Sequence, residues 1–166
     1  MNKRLAVAFT GPSNSGKTTL IIKVAERLME EGKRVAIIKN DPKDKAVFDV
    51  EGKDSYKFSQ TGAEVVVTSP ERTTYFSKMH KELEEIITMF DTFDYLLVEG
   101  LKNLPLPRIS IFRNKIDEDY YPYMNALAID ESIDAKIQKI PNTINILDLN
   151  NTDQVIDWIK NNAKEV

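Results

Sequence analysis

Cysteine is absent from this chain, and with it go disulfides, thiolate metal sites and thiol catalysis. That absence suits a reducing compartment. Histidine occurs once, at His80, where it reads as a solvated helix-end residue with no catalytic role. No apolar run approaches the roughly 20 residues that a membrane span requires. An excess of basic charge is missing as well: 23 Lys and Arg are interspersed with 26 Asp and Glu, for a formal net charge of −3. This excludes the broad basic footprint of a nucleic-acid binder. Short runs such as Lys43-Asp44-Lys45 and Asp117-Glu118-Asp119 read as solvated faces. Repeats, low-complexity tracts and interdomain linkers are lacking, so the 166 residues are expected to form one domain, residues 1–166. A chain of this length buries about 70% of its unfolded surface without staples. The basic tip Met1-Asn2-Lys3-Arg4 has the charge of a secretory leader. The apolar run behind it stops at Phe9 and leads straight into a glycine loop, so the expected location is the cytoplasm.

What the chain does have is Gly11-Pro12-Ser13-Asn14-Ser15-Gly16-Lys17-Thr18, which fits the spacing G-x-x-x-x-G-K-S/T behind the apolar run Leu5 to Phe9. A polyphosphate needs several backbone N–H groups turned inward. Glycine lets the chain bend that sharply while a helix N-terminus points at the anion. The candidate nucleotide-binding residues are therefore Gly11, Ser13, Asn14, Ser15, Gly16, Lys17, Thr18 and Thr19. Lys17 is expected to reach the β- and γ-phosphates, and the Thr18 hydroxyl to ligate Mg²⁺.

Downstream, Ile21, Val24, Ala25 and Leu28 fall on one stripe at helical spacing, with Gly32 where a helix stops. Val35 to Ile38 reads as a second, parallel strand reached by a right-handed crossover. Strand, helix and strand make the fold class α/β. The polar connection from Asn40 to about Gly52 leaves the carboxyl end of a strand, where ligands bind in open sheets; it is either a substrate-gripping loop or a merely flexible one. Asp54 is expected to N-cap a short helix ending near Gly62. Residues 64–76 read as a hairpin or as a strand with a peripheral ribbon. An amphipathic helix follows from Lys81, with Leu83, Ile86, Ile87 and Phe90 inward. Tyr95 to Val98, Ile109 to Phe112, Ala126 to Ile129 and Ile144 to Leu147 read as further strands. Asn151 and Gln154 form a capping pair ahead of a last helix.

A triphosphate site needs an acidic contribution from a neighbouring strand, because Mg²⁺ keeps several waters that a carboxylate holds. Glu99 stands at that place, directly after Tyr95 to Val98, and Gly100 lets the backbone approach the γ-phosphate. Asp94, at the other end of the strand, is expected to cap or terminate it. Asn114-Lys115-Ile116-Asp117 fits N-K-x-D, in which a carboxylate accepts from the guanine N1–H and N2–H₂ groups. A solvated loop is the competing reading of those residues.

With these motifs in hand, the chain resembles the molybdopterin-guanine dinucleotide biosynthesis adaptor family, MobB. The likeness rests on the phosphate loop at Gly11 to Thr19, the strand ending in Lys39, Gly52-Lys53-Asp54-Ser55, Thr61-Gly62-Ala63, Val98-Glu99-Gly100-Leu101-Lys102 and the strand closing on Arg113. It spans about residues 4–113. The resemblance implies a P-loop NTPase-like, three-layer α/β fold, with a mostly parallel central sheet and helices on both faces. It further implies a GTP-binding protein that is at most a slow Mg²⁺-dependent GTPase. The resemblance also implies a homodimer that assists the molybdopterin guanylyltransferase attaching GMP to molybdopterin. Lys53, Asp54 and Gly100 would then lie near the bound ligand, with Thr18 and Glu99 on the metal. The chain departs from the family pattern at Asn40, where a histidine is common, and no histidine follows before His80.

Two other classes share parts of the pattern. A small-molecule kinase transferring the ATP γ-phosphate to a metabolite has similar phosphate loops, but it usually carries a lid of clamping arginines. Here Arg72, Arg108 and Arg113 are scattered. A ligase of the dethiobiotin-synthetase type shares Val98-Glu99-Gly100 but calls for a more glycine-rich continuation than Leu101-Lys102-Asn103.

Overall fold

The computed structural model describes residues 3–166; Met1 and Asn2, the start of the basic tip, lie outside the described residues. Contacts divide the chain into two compact units, one of residues up to Asn40 and from Thr92 onward, the other Asp41–Asp91.

The first unit is built on β1 (Leu5–Thr10), whose residues Ala6 to Phe9 are fully buried. A run this apolar on both faces suits the middle of a parallel sheet. Helix α1 (Lys17–Glu30) follows and turns Leu20, Ile21, Val24, Ala25 and Leu28 inward. Each of the leucine, isoleucine and valine side chains contributes about 1.5–3 kcal/mol when fully removed from water. The helix ends where the sequence puts a glycine. Gly32 adopts φ +75°, its amide donates to the Met29 carbonyl, and the Lys33 amide donates to that of Leu28. This is a Schellman closure, which satisfies carbonyls that the last turn leaves open.

Strand β2 (Val35–Lys39) is parallel, as expected, yet it does not pair with β1. After the second unit the chain returns as β5 (Tyr95–Glu99), which lies between β1 and β2 and aligns Phe9 with Glu99. Strands β6 (Arg108–Ile111), β7 (Ala126–Ile129) and β8 (Asn145–Asp148) extend the sheet on the other side of β1. Helix α4 (Thr152–Asn162) buries Val155, Ile156, Trp158 and Ile159 in the same core as α1. The Asn151 side chain accepts from the Gln154 amide at 3.0 Å, so half of the expected capping pair forms. The Gln154 side chain turns instead to the Asp148 amide. A short 3₁₀ helix, Glu118–Tyr123, and the two-residue strand β9 (Lys164–Glu165), antiparallel to β1, carry no sequence signal that foretold them. On the face of β7 away from α1, Phe112, Ile116, Met124, Leu127, Ile129, Ile133 and Ile144 form a second cluster, with Tyr120 and Tyr121 from the 3₁₀ helix packed on it.

At the amino ends of β2 and β5, Asp94 accepts from the Arg34 backbone amide at 2.8 Å and from its guanidinium at 2.9 and 3.1 Å. These bonds to the Arg34 side chain and backbone hold the Asp94 carboxyl well below the usual carboxylate range. A carboxyl depressed by folding stabilises the protein fully above its unfolded pKa, and the contribution is lost as pH falls through the folded value. Trp158 is the sole tryptophan and is buried, so its fluorescence reports unfolding. Denaturation midpoints of the parent protein are expected to fall on acidification below about pH 4. Asp94→Asn should start lower at neutral pH and change less over the same interval.

In the second unit the Asp41 carboxylate accepts from the amides of Lys43, Lys45 and Ala46, folding the start of the connection onto itself. Beyond it Val47 and Phe48 are left 85% and 84% exposed. Helix α2 (Asp54–Gln60) is capped one residue earlier than expected, at Lys53, without a side-chain bond. Asp54 falls inside the first turn, where its charge complements the helix N-terminus and pairs with Lys57 at 3.3 Å. Strands β3 (Val65–Thr68) and β4 (Thr73–Phe76) form the antiparallel hairpin, a separate two-stranded sheet. Helix α3 (Leu83–Met89) opens on a reciprocal capping box between Glu82 and Glu85. His80 is exposed beside Glu82.

Candidate nucleotide site

The site starts where β1 delivers the chain into Gly11. A Cβ there would lie 2.3 Å from the Ile111 carbonyl oxygen on β6, and φ is +141°, so the position admits no side chain. Asn14 at φ +62° and Gly16 at φ +97° complete the bend into α1. Gly16 caps the helix without a side-chain bond, which leaves its first amides open. Among the described residues, no carbonyl or side chain accepts from the amides of Ser13 to Thr19. The loop is therefore curved and its donors are unspent.

Lys17 folds back across the loop, its ammonium donating to the Pro12 carbonyl at 2.7 Å. Burial pushes the Lys17 pKa down, Glu99 opposes that shift, and Lys39 adds to it. The Ser15 hydroxyl is buried with no partner, while Ser13, Asn14, Thr18 and Thr19 are exposed. Because β5 is hydrogen-bonded to β1, Glu99 stands one strand away from the loop. Its side chain is 13% exposed and pairs with the Lys39 ammonium at 3.2 Å. The Gly100 amide donates to the Phe9 carbonyl at 2.9 Å, so this donor is committed to the sheet. A Cβ on Gly100 would come within 3.1 Å of the Asn40 Cβ, at φ +91°. Glycine here serves the close packing of β5 beside the end of β2.

Lys53 and Asp54 belong to the second unit, where they line an open groove of about 510 Å³ with Ser55, Phe58 and residues 65–68. The N-K-x-D residues are engaged locally. The Asn114 amide donates to the Ser132 hydroxyl at 2.7 Å, and an Asp117 oxygen accepts from the Asp119 amide, opening the 3₁₀ helix. Lys115, Ile116 and Asp117 line a cavity of about 480 Å³ that reaches Pro12 of the phosphate loop.

Two arginines act here that spacing did not single out. The Arg113 guanidinium packs on Gly16, 3.6 Å from where a Cβ would stand, and pairs with Asp130 at 3.0 Å. Arg108 is 1% exposed and ties the turn after Gly100. In the sequence Arg113 marks only the end of a strand and Arg108 is only a scattered arginine, since what each touches depends on strands brought together from distant sequence.

Residues 6–130 match the family described as molybdopterin guanine dinucleotide synthesis protein B. The chain is 32% identical to a molybdopterin-guanine dinucleotide biosynthesis adapter protein of Haemophilus influenzae, over 97% of this chain and 91% of that one. It is 31% identical to the protein of the same description from Escherichia coli, over 92% of this chain and 90% of that one. Among solved structures, Bacillus subtilis MobB superposes with a TM-score of 0.76 at 23% identity, covering 96% of this chain and 98% of that one. The hydrogenase maturation factor HypB of Archaeoglobus fulgidus superposes with a TM-score of 0.52 at 18% identity, covering 95% and 87%. These structural likenesses establish the P-loop NTPase-like fold, with its mostly parallel central sheet.

Proposed function

The chain belongs to the molybdopterin guanine dinucleotide synthesis protein B family, and from that membership we propose that it is a nucleotide-binding adaptor in molybdenum cofactor assembly, aiding the attachment of GMP to molybdopterin. The observation that carries the nucleotide part is the set of unspent amides from Ser13 to Thr19, closed by the Lys17 ammonium. Backbone donors at a helix N-terminus favour an anion, and the lysine adds a full charge.

The nucleotide is GTP and the metal Mg²⁺. Among the described residues no cluster of three His, Cys, Asp or Glu side chains could hold an ion alone. Mg²⁺ is suited to such a place, because it takes one or two protein oxygens and completes its shell with phosphate oxygens and water. The Thr18 hydroxyl and the Glu99 carboxylate would be those protein oxygens. When bound, the ion would neutralise phosphate charge. Lys17 and the loop amides orient the phosphates. Hydrolysis is expected to be slow, since the Gln154 side chain is taken up by the Asp148 amide and the Arg113 guanidinium by Asp130.

Lys53, Asp54 and Gly100 serve the bound ligand or the partner enzyme, the molybdopterin guanylyltransferase. The protein works in the cytoplasm as a homodimer. Support for the dimer comes from the second unit: a two-stranded sheet alone is marginal in water, and here Val66 and Val67 are 58% and 42% exposed. Among the described residues no helix is long and apolar enough to cross a membrane.

The test is a titration of the pure protein with GTP and ATP in the presence of Mg²⁺, with and without a molybdopterin guanylyltransferase, alongside its mass in solution by light scattering. GTP should bind in preference to ATP, turn over slowly, and raise the yield of the guanylyltransferase. Preference for ATP with rapid phosphate transfer to a metabolite would overturn the reading.

A further inference from the structure

Arg108 is one of the largest fully buried side chains in the molecule, and it has no carboxylate partner among the described residues. Its guanidinium donates instead to four main-chain carbonyls, those of Gly100 at 2.8 Å, Leu101 at 2.9 Å, Lys102 at 3.3 Å and Leu104 at 3.3 Å. Burial pushes its pKa down. An apolar residue of similar length would fill the same space without the cost of desolvating a charge. What an apolar residue could not do is gather four carbonyls onto one point.

The turn so gathered is an unusual one. Gly100 has φ +91° and Leu101, which carries a branched side chain, has φ +49°. Left-handed backbone at a residue with a Cβ is strained and persists only where the surroundings impose it. Arg108 supplies that imposition, and the turn it holds starts directly after Glu99. The Leu101 amide, like those of the phosphate loop, has no acceptor among the described residues.

We propose that Arg108 is a positioning residue for the nucleotide site: by clamping the carbonyls of Gly100 to Leu104 it fixes the Glu99 carboxylate beside the phosphate loop and thereby sets the demand for the divalent ion. This rests on the reading of Gly11 to Thr19 as a nucleotide site. Arg108 touches no phosphate itself and acts through Glu99.

The experiment measures binding of a fluorescent GTP analogue, first in EDTA and then across a Mg²⁺ titration, so that it reads affinity and not turnover. Arg108→Lys keeps the charge but can satisfy fewer of the carbonyls. It should leave binding in EDTA nearly unchanged and raise the Mg²⁺ midpoint about tenfold, as losing hydrogen bonds from a charged donor implies. Leu101→Val strains the same turn while leaving the Arg108 side chain itself unaltered, because a β-branched residue tolerates positive φ poorly. It should raise the midpoint by about threefold, and it answers the question even if Arg108→Lys fails to fold. An unchanged midpoint in Leu101→Val, or in a folded Arg108→Lys, would overturn the proposal, as would an equal loss of binding with and without Mg²⁺. Lys17→Ala separates the two readings. If that variant binds GTP as well as the parent, the nucleotide site itself is misassigned, whatever Arg108 does.

Discussion

Lys17→Ala is expected to lose nucleotide binding by about a hundredfold or more while unfolding at the same denaturant concentration as the parent protein. The first half follows from charge. Removing one partner of a charge-assisted contact in a partly dry pocket costs about 2–5 kcal/mol, and each 1.4 kcal/mol is tenfold in affinity. The second half follows from how little the side chain does for the fold. Its one hydrogen bond goes to the Pro12 carbonyl, across an exposed loop. Isothermal titration with GTP measures the first, and Trp158 fluorescence in urea the second. Unchanged GTP affinity would remove Lys17 from its role. A large loss of stability would show that the Pro12 contact holds the loop together, in which case the binding result would need the Lys17→Arg protein for comparison.

The second large effect is expected at Gly11. An alanine Cβ there would stand 2.3 Å from the Ile111 carbonyl oxygen, far inside contact distance, and at a φ of +141°. Neither atom can yield cheaply, because Ile111 closes a strand paired with β7 in the middle of the sheet. Overpacking and backbone strain each cost about 1–3 kcal/mol, so Gly11→Ala should lose roughly 3–5 kcal/mol and the loop's shape with it. Gly32→Ala is the control. Gly32 also has positive φ, at +75°, but a Cβ there would meet nothing within 4 Å. That variant pays only for backbone strain, about 1 kcal/mol. If Gly11→Ala proves no worse than Gly32→Ala in urea, the clash with β6 is not what demands glycine. A stable Gly11→Ala protein with intact GTP binding would count against the loop geometry as a whole.

What the sequence disclosed here was local, and what it hid was long-range. The stripe of Ile21, Val24, Ala25 and Leu28 marks α1 because helical spacing places those residues on one face whatever the rest of the chain does. Gly32 marks its end for the same reason. Glu99 after Tyr95 to Val98 could be assigned beside the phosphate loop because a buried strand with an acid at its carboxyl end has few other places to go in an α/β fold. The order of the strands could not be read. Nothing in Val35 to Ile38 reveals that β5 will come between it and β1, since parallel neighbours are chosen by crossovers that sequence spacing does not encode. Arg108 was counted as one scattered arginine. Its burial is intelligible only from the fold, in which four carbonyls of the preceding turn, Gly100 to Leu104, receive its guanidinium. Asp54 looked like a cap because its residue type favours that position, yet Lys53 took it, as the preceding turn had already set the helix start when the Lys53 amide bonded to the Val50 carbonyl.

The ion pair between Lys39 and Glu99 has an implication for how the pocket fills. A divalent ion held by Glu99, as proposed, would compete with the Lys39 ammonium for that carboxylate, and the local charge would climb by less than the ion carries once the lysine withdrew. Lys39 would then be a placeholder at the end of β2, released as the pocket is loaded.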